Sequence, residues 1–148
     1  HLSLRRQRLM CIRDCDIKGE VEANEIRTLE TQGIPEVPSP LCDGRYVYFV
    51  KNGGVIICLE LKTGWRVSLI RSEGRGTHYA SPLIAGGHLF TIAGDGRISV
   101  LTLGPEPKSL ATNEMRDRVY ATPAISDGVL YVRTHSRLFA FGKKTGSP

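Results

Sequence analysis

The sequence predicts an all-β fold assembled from a unit of about 40 residues that recurs three times. Three observations carry that reading. Ser39-Pro40, Ser81-Pro82 and Thr122-Pro123 stand 42 and 41 residues apart. Nine residues after each Ser or Thr comes an aromatic (Tyr48, Phe90, Tyr131), and an aliphatic precedes it each time (Val47, Leu89, Leu130). Turn formers separate the apolar runs at matching places: Gly44, Gly86 and Asp127, then Asn52-Gly53-Gly54, Gly94-Asp95-Gly96 and His135-Ser136. Short strands punctuated by Gly and Asp at this period are the mark of a β-propeller, one four-stranded antiparallel blade per repeat. A propeller ring typically takes about four to eight blades, so the chain is expected to be a fragment of a larger one.

In chain order, residues 1–14 begin as a basic amphipathic stretch, with Leu2, Leu9 and Met10 beside Arg5, Arg6, Arg8 and Arg13. Residues 5–14, RRQRLMCIRD, resemble the translation of a transposase-type sequencing-library adapter. They are therefore set apart from the fold as a non-native segment. Without residues 1–14 the formal charge of +5 falls to +2, from 16 Lys plus Arg against 14 Asp plus Glu. That remainder forms no basic stripe and has no aromatic interleaving, so no nucleic-acid partner is expected. No run approaches the roughly 18 apolar residues of a membrane span, and the arginines interrupt any signal-peptide core.

Residues 15–36 are expected to be the remnant of a preceding blade and the link into the next. Asp14, Asp16, Gly19, Glu20, Glu22 and Glu25 fit positions 1, 3, 6, 7, 9 and 12 of an EF-hand loop, but Lys18 stands at position five, which normally supplies a ligand oxygen. An ammonium there repels Ca²⁺, so a polar hairpin or strand edge is expected and no metal site. Pro35, Pro38 and Pro40 then forbid a helix and favour an extended crossover.

The three blades are placed at 37–78, 79–119 and 120–148. Strands are predicted at 37–42, 46–51, 55–60 and 65–70 in the first, and at 80–84, 88–93, 97–103 and about 108–112 in the second. In the third they are predicted at 121–126, 129–134 and 137–141, with the outer strand missing or frayed into 142–148. Asp43-Gly44, Asn52-Gly53-Gly54 and Lys62-Thr63-Gly64 supply the positive φ of tight hairpins.

Three segments carry a family resemblance: ICLELKTG (57–64), YASPLIAGGHLFTIAGDG (79–96) and YATPAISDGVLYVRT (120–134). They resemble repeats of the pyrroloquinoline-quinone (PQQ) type, found in bacterial quinoprotein dehydrogenases and in the outer-membrane assembly lipoprotein of the BAM complex. The chain is most similar to the secreted or periplasmic PQQ-binding-like β-propeller repeat proteins, over about residues 24–142. The resemblance implies a periplasmic or secreted protein of the bacterial cell envelope. It also implies a binding or scaffold role, with protein or another macromolecule as partner. The rival is a fragment of a PQQ-dependent dehydrogenase, but the Ca²⁺ ligands, carboxylate base and adjacent-cysteine disulfide of those enzymes have no counterpart here. No cofactor and no catalytic residue is assigned. Glu60 stands where the family often places the Asp of its blade-docking motif, and Trp65 follows Gly64 directly, so that lock is altered. The WD40 alternative lacks its Gly-His and Trp-Asp pairs at the right places, since Gly87-His88 has no partner and the sole Trp65 follows a Gly.

Reactive side chains are sparse. Cys42 and Cys58 sit on separate strands without ligand spacing and are expected to be free core thiols. His78, His88 and His135 are scattered, and Ser81 has no nucleophile-elbow glycines. Four residues remain as candidates for ligand binding. Tyr79 and Tyr120 occupy matching positions two before the register Ser or Thr, and His78 adjoins Tyr79. Arg133 falls where the earlier repeats carry Val50 and Ile92, and is either a strand-edge arginine reaching solvent or a group aimed at a ligand.

Overall fold

The computed structural model describes residues 34–142, and they form an all-β array of three antiparallel sheets. The adapter-like segment and the EF-hand-like loop lie outside the described residues. Blade one contains β1 (Leu41–Cys42), β2 (Tyr46–Lys51), β3 (Val55–Glu60) and β4 (Arg66–Arg71), hydrogen-bonded in that order. Blade two repeats it with β5 (Leu83–Ala85), β6 (His88–Ile92), β7 (Arg97–Thr102) and β8 (Ser109–Glu114). Among the described residues, blade three contributes three strands, β9 (Ala124–Ser126), β10 (Val129–Arg133) and β11 (Leu138–Phe141). The repeat extends to irregularities. The ladder shifts register between Cys58 and Leu59 in blade one and between Val100 and Leu101 in blade two, at corresponding positions.

The first strand of each blade is shorter than the sequence suggested, and the register residues explain why. Pro38, Pro40, Pro82 and Pro123 carry no N–H for a ladder. The N–H groups between them are committed elsewhere: that of Ser39 donates to Ser81 Oγ at 2.9 Å, and that of Ser81 to Thr122 Oγ1 at 2.9 Å. The hydroxyls of Ser81 and Thr122 therefore each latch their blade to the one before, and pairing begins only two residues after each register Ser or Thr. The β3–β4 turn is closed by Thr63, whose hydroxyl donates to Glu60 Oε2 at 2.7 Å and accepts from Trp65 N–H. Trp65 is 76% exposed, so Glu60 organises its own turn and the tryptophan does not lock one blade to another.

Strand alternation gives each blade two faces. Tyr46, Tyr48 and Val50 of β2, with Ile56 and Cys58 of β3, pack on Leu89 and Leu101 of blade two. The opposite face of β2 and β3 groups Val47, Ile57 and Leu59. Ile92 and Ile98 leave blade two on its far side and meet Val132 of blade three, with Ala80 and Val119 from the connecting segments. The seams between blades thus hold the core. A polar tie crosses the first one. Tyr48 Oη donates to Asp43 Oδ2 at 2.8 Å and accepts from Gly104 N–H at 2.8 Å, in the β7–β8 loop. Cys58 lies beside it, with Sγ at 3.6 Å from Gly104 O. Cys42 and Cys58 are both free thiols, the first half-buried and the second buried.

Candidate functional site

The connecting segments ahead of blades two and three align residue for residue. Glu73, Arg75, Tyr79, Ala80, Ser81 and Pro82 correspond to Glu114, Arg116, Tyr120, Ala121, Thr122 and Pro123. Each is threaded between two hairpin turns. Gly53 N–H in the β2–β3 turn donates to Gly76 O at 2.9 Å, and His78 N–H donates to Asn52 Oδ1 at 2.7 Å. Gly94 N–H in the next turn donates to Thr77 O, while Val119 N–H donates back to Gly94 O. His135 N–H in the third turn donates to Arg118 O at 2.7 Å. Backbone bonds thus run turn to linker to turn across all three blades and hold this end of the sheets in one register.

On that end stand the two tyrosines singled out from the sequence, and the structure brings them together. Their rings meet edge to face, with centroids 5.3 Å apart and planes at 89°. Aromatic pairs favour this geometry because the positive ring edge meets the negative face. Both remain nearly half exposed, at 43% for Tyr79 and 48% for Tyr120. On the other side of Tyr79 lies a cleft of about 200 Å³. The segment 34–38 forms one wall, and Lys51, Asn52, His78 and Tyr79 complete it.

His78 is buried, only 1% exposed, so it lines the cleft without standing out from the surface. Its Nδ1 lies 3.1 Å from Gly76 O. A carbonyl can only accept, so Nδ1 carries the proton and Nε2 is a bare acceptor, which has no partner among the described residues. Burial pushes the imidazole below its ordinary pKa of 6.5, against the opposing pull of the Gly76 bond and the Asp95 charge. Blade three has Val119 at the same position, so the slot is shaped for a neutral side chain. Arg133 is exposed at the end of β10, on the face that corresponds to Val50 and Ile92. The sequence did not single out Val37, Asn52 or Asp117 as site residues. The hydroxyls of Thr134 and Ser136, with the Ser136 N–H, hold the Asp117 carboxyl far below its usual range and tie the last linker to the third turn.

Among the described residues no three His, Cys, Asp or Glu side chains are grouped to hold a metal ion, and no helix is long and apolar enough to cross a membrane.

No family model matches the chain. It is 28% identical over 112 residues to outer membrane protein assembly factor BamB of Burkholderia pseudomallei, an alignment covering 73% of this chain and 28% of that protein. The fold is similar to the crystal structure of BamB from Moraxella catarrhalis, with a TM-score of 0.55 and 27% identity, covering 73% of this chain and 34% of that one. The chain thus spans about a third of the BamB proteins that it matches. It also shares its fold with two computationally designed proteins. Ika4 matches at a TM-score of 0.56 and 14% identity, over 70% of this chain and 63% of that one. Ika8 matches at 0.55 and 15%, over 70% and 32%. The fold is therefore that of consecutive β-propeller blades.

Proposed function

We propose that the chain is part of a non-catalytic β-propeller acting as a binding or scaffold module of the bacterial cell envelope, periplasmic or secreted, with protein or another macromolecule as its partner. The observation that carries this reading is the joint likeness to BamB, in sequence over 112 residues and in fold over the same share of the chain. Carried over, the partners are components of outer-membrane protein assembly. The exposed tyrosine pair and the adjoining cleft supply a surface suited to the task, since aromatic side chains are enriched where proteins meet. Arg133 belongs to the proposed contact set as a cation on the open face of the last blade.

The test exports the chain to the periplasm of a Gram-negative cell with a photo-crosslinking side chain in place of Tyr120. The expected result is a crosslink to an outer-membrane assembly component, lost when Tyr79→Ser is added. Quinone-dependent dye reduction by the chain, supplied with PQQ, Ca²⁺ and a panel of alcohols and sugars, would overturn the reading in favour of a dehydrogenase fragment.

A further inference from the structure

The cleft beside Tyr79 has an internal explanation in the repeat. The latch bonds between Ser39 and Ser81 and between Ser81 and Thr122 fix the structural equivalence of those three residues. Two positions before them stand Val37, Tyr79 and Tyr120. Across the second seam, a tyrosine at this position meets the next tyrosine edge to face. Across the first seam the residue facing Tyr79 is Val37, which is 57% exposed and lines the cleft. The cleft is therefore the place where the tyrosine row is one ring short.

We propose that this cleft is a slot for an aromatic side chain, foremost tyrosine, presented by an extended segment of a partner protein. The second seam serves as a picture of the occupied state, with Tyr79 playing the guest's part against Tyr120. The size agrees: about 200 Å³ is below the roughly 300 Å³ at which pockets for drug-sized ligands begin, and suits one side chain. The chemistry agrees as well. Tyr79 offers an exposed ring, Pro35 and Val37 offer apolar wall, and Lys51 and Asn52 stand at the position of the turn where a phenol hydroxyl can find a donor. An extended segment laid along the row would continue an interface that the blades already make with one another.

The proposal rests on the protein-binding reading above, and the experiment separates the two. The 148-residue chain, labelled for NMR, is titrated with acetyl-Gly-Ser-Tyr-Ser-Gly-amide and with the same peptide carrying Ala for Tyr. The expected result is saturable shifts at Val37, His78 and Tyr79 with the Tyr peptide, at least tenfold weaker with the Ala peptide. Val37→Tyr should fill the slot from within, weaken the Tyr peptide at least tenfold and leave the melting temperature unchanged or raised. Val37→Ala, which leaves the slot open, should retain binding. Equal binding of the two peptides, or undiminished binding by a folded Val37→Tyr chain, would overturn the slot. In the periplasmic assay, a Tyr120 crosslink that survives Val37→Tyr, together with no binding of the Tyr peptide to the wild-type chain, would sink the slot alone and leave the scaffold reading standing.

Discussion

Replacing Tyr48 by Phe removes one oxygen from the first seam and leaves the ring in place. The magnitude follows from what that oxygen touches. It donates to the Asp43 carboxylate at 2.8 Å, a charge-assisted bond worth about 1.5–3 kcal/mol. It also accepts Gly104 N–H at 2.8 Å, and a donor left unsatisfied in the seam costs about 1–3 kcal/mol. Asp43 is exposed and regains water, so the two do not add in full, and the expected loss is about 2–4 kcal/mol. For a chain of this size that is a fall of roughly 4–16 °C in melting temperature. Burial raises the Tyr48 pKa well above its ordinary value, so the hydroxyl stays protonated and the effect should be constant across neutral pH. Urea denaturation of the wild type and of Tyr48→Phe measures the loss, and Tyr131→Phe is the control. Tyr131 occupies the equivalent position on blade three but is 37% exposed, so its hydroxyl should be worth less than about 0.5 kcal/mol. Equal stability of Tyr48→Phe and wild type, or equal losses in both variants, would refute the assignment of the seam's polar tie.

Three more outcomes are expected. His78 is held neutral by burial, so the unfolded chain binds a proton that the folded one refuses. Stability should therefore be full above pH 6.5 and decline as the pH falls below it, by at most about 1.4 kcal/mol per pH unit from this group, and His78→Val should flatten that limb of a urea-melt series. Burial and the Asp43 charge push the Cys58 thiol up to about 11, against an ordinary 9.0. Its thiolate is then about a hundredfold scarcer at neutral pH, and iodoacetamide labelling followed by peptide mass spectrometry should find Cys58 modified only after unfolding. Gly96 has φ +93° and a Cβ there would lie 2.2 Å from Asp117 O, whereas Gly44, with φ +94°, has open space around its Cβ. Gly44→Ala should cost only the left-handed strain of about 1–2 kcal/mol, and Gly96→Ala clearly more, in parallel thermal melts.

The repeat was legible because propeller blades reuse one solution at one spacing. Nine residues after each register Ser or Thr stands an aromatic, and Tyr48 and Phe90 enter the seams, a spacing that the sequence shows without any three-dimensional information. The turns were equally legible, because Gly53, Gly64 and Gly96 adopt positive φ that other residues resist. The inner strands were overextended because hydrophobic pattern does not reveal where an N–H bonds. The amides of Ser39 and Ser81 look available to a ladder, yet hydroxyls about 40 residues away take them. The site was half legible. Tyr79 and Tyr120 announced themselves as aromatics at matching positions, but nothing in the sequence shows that His78 is buried or that its N–H meets the Asn52 side chain from 26 residues away. Val37 carries no signal of its own and acquires meaning only when the latches fix it against the tyrosines.

Arg133 shows the same logic at the far end of the array. Its counterparts, Val50 and Ile92, are buried at 1% because another blade lies over each of them. The face of blade three that carries Arg133 also carries Tyr131 at 37% and Leu138 at 69% exposure, a mixture of apolar and charged groups open to solvent. An apolar residue at position 133 would suit a blade packed as tightly as the first two seams. An arginine under such a blade would need a carboxylate opposite it, because a buried guanidinium without a partner costs several kcal/mol. Arg133→Val makes the two situations measurable. If the open face stays in water, the change should leave stability within about 0.5 kcal/mol, as for surface positions generally. If a carboxylate-bearing partner covers it, the same change should weaken that association by about 3–5 kcal/mol, because the partner's charge is then stranded. Denaturation of the free chain and titration against any partner captured at Tyr120 read the two quantities separately, and a large loss in the free chain would show that the guanidinium already has a role inside the blade.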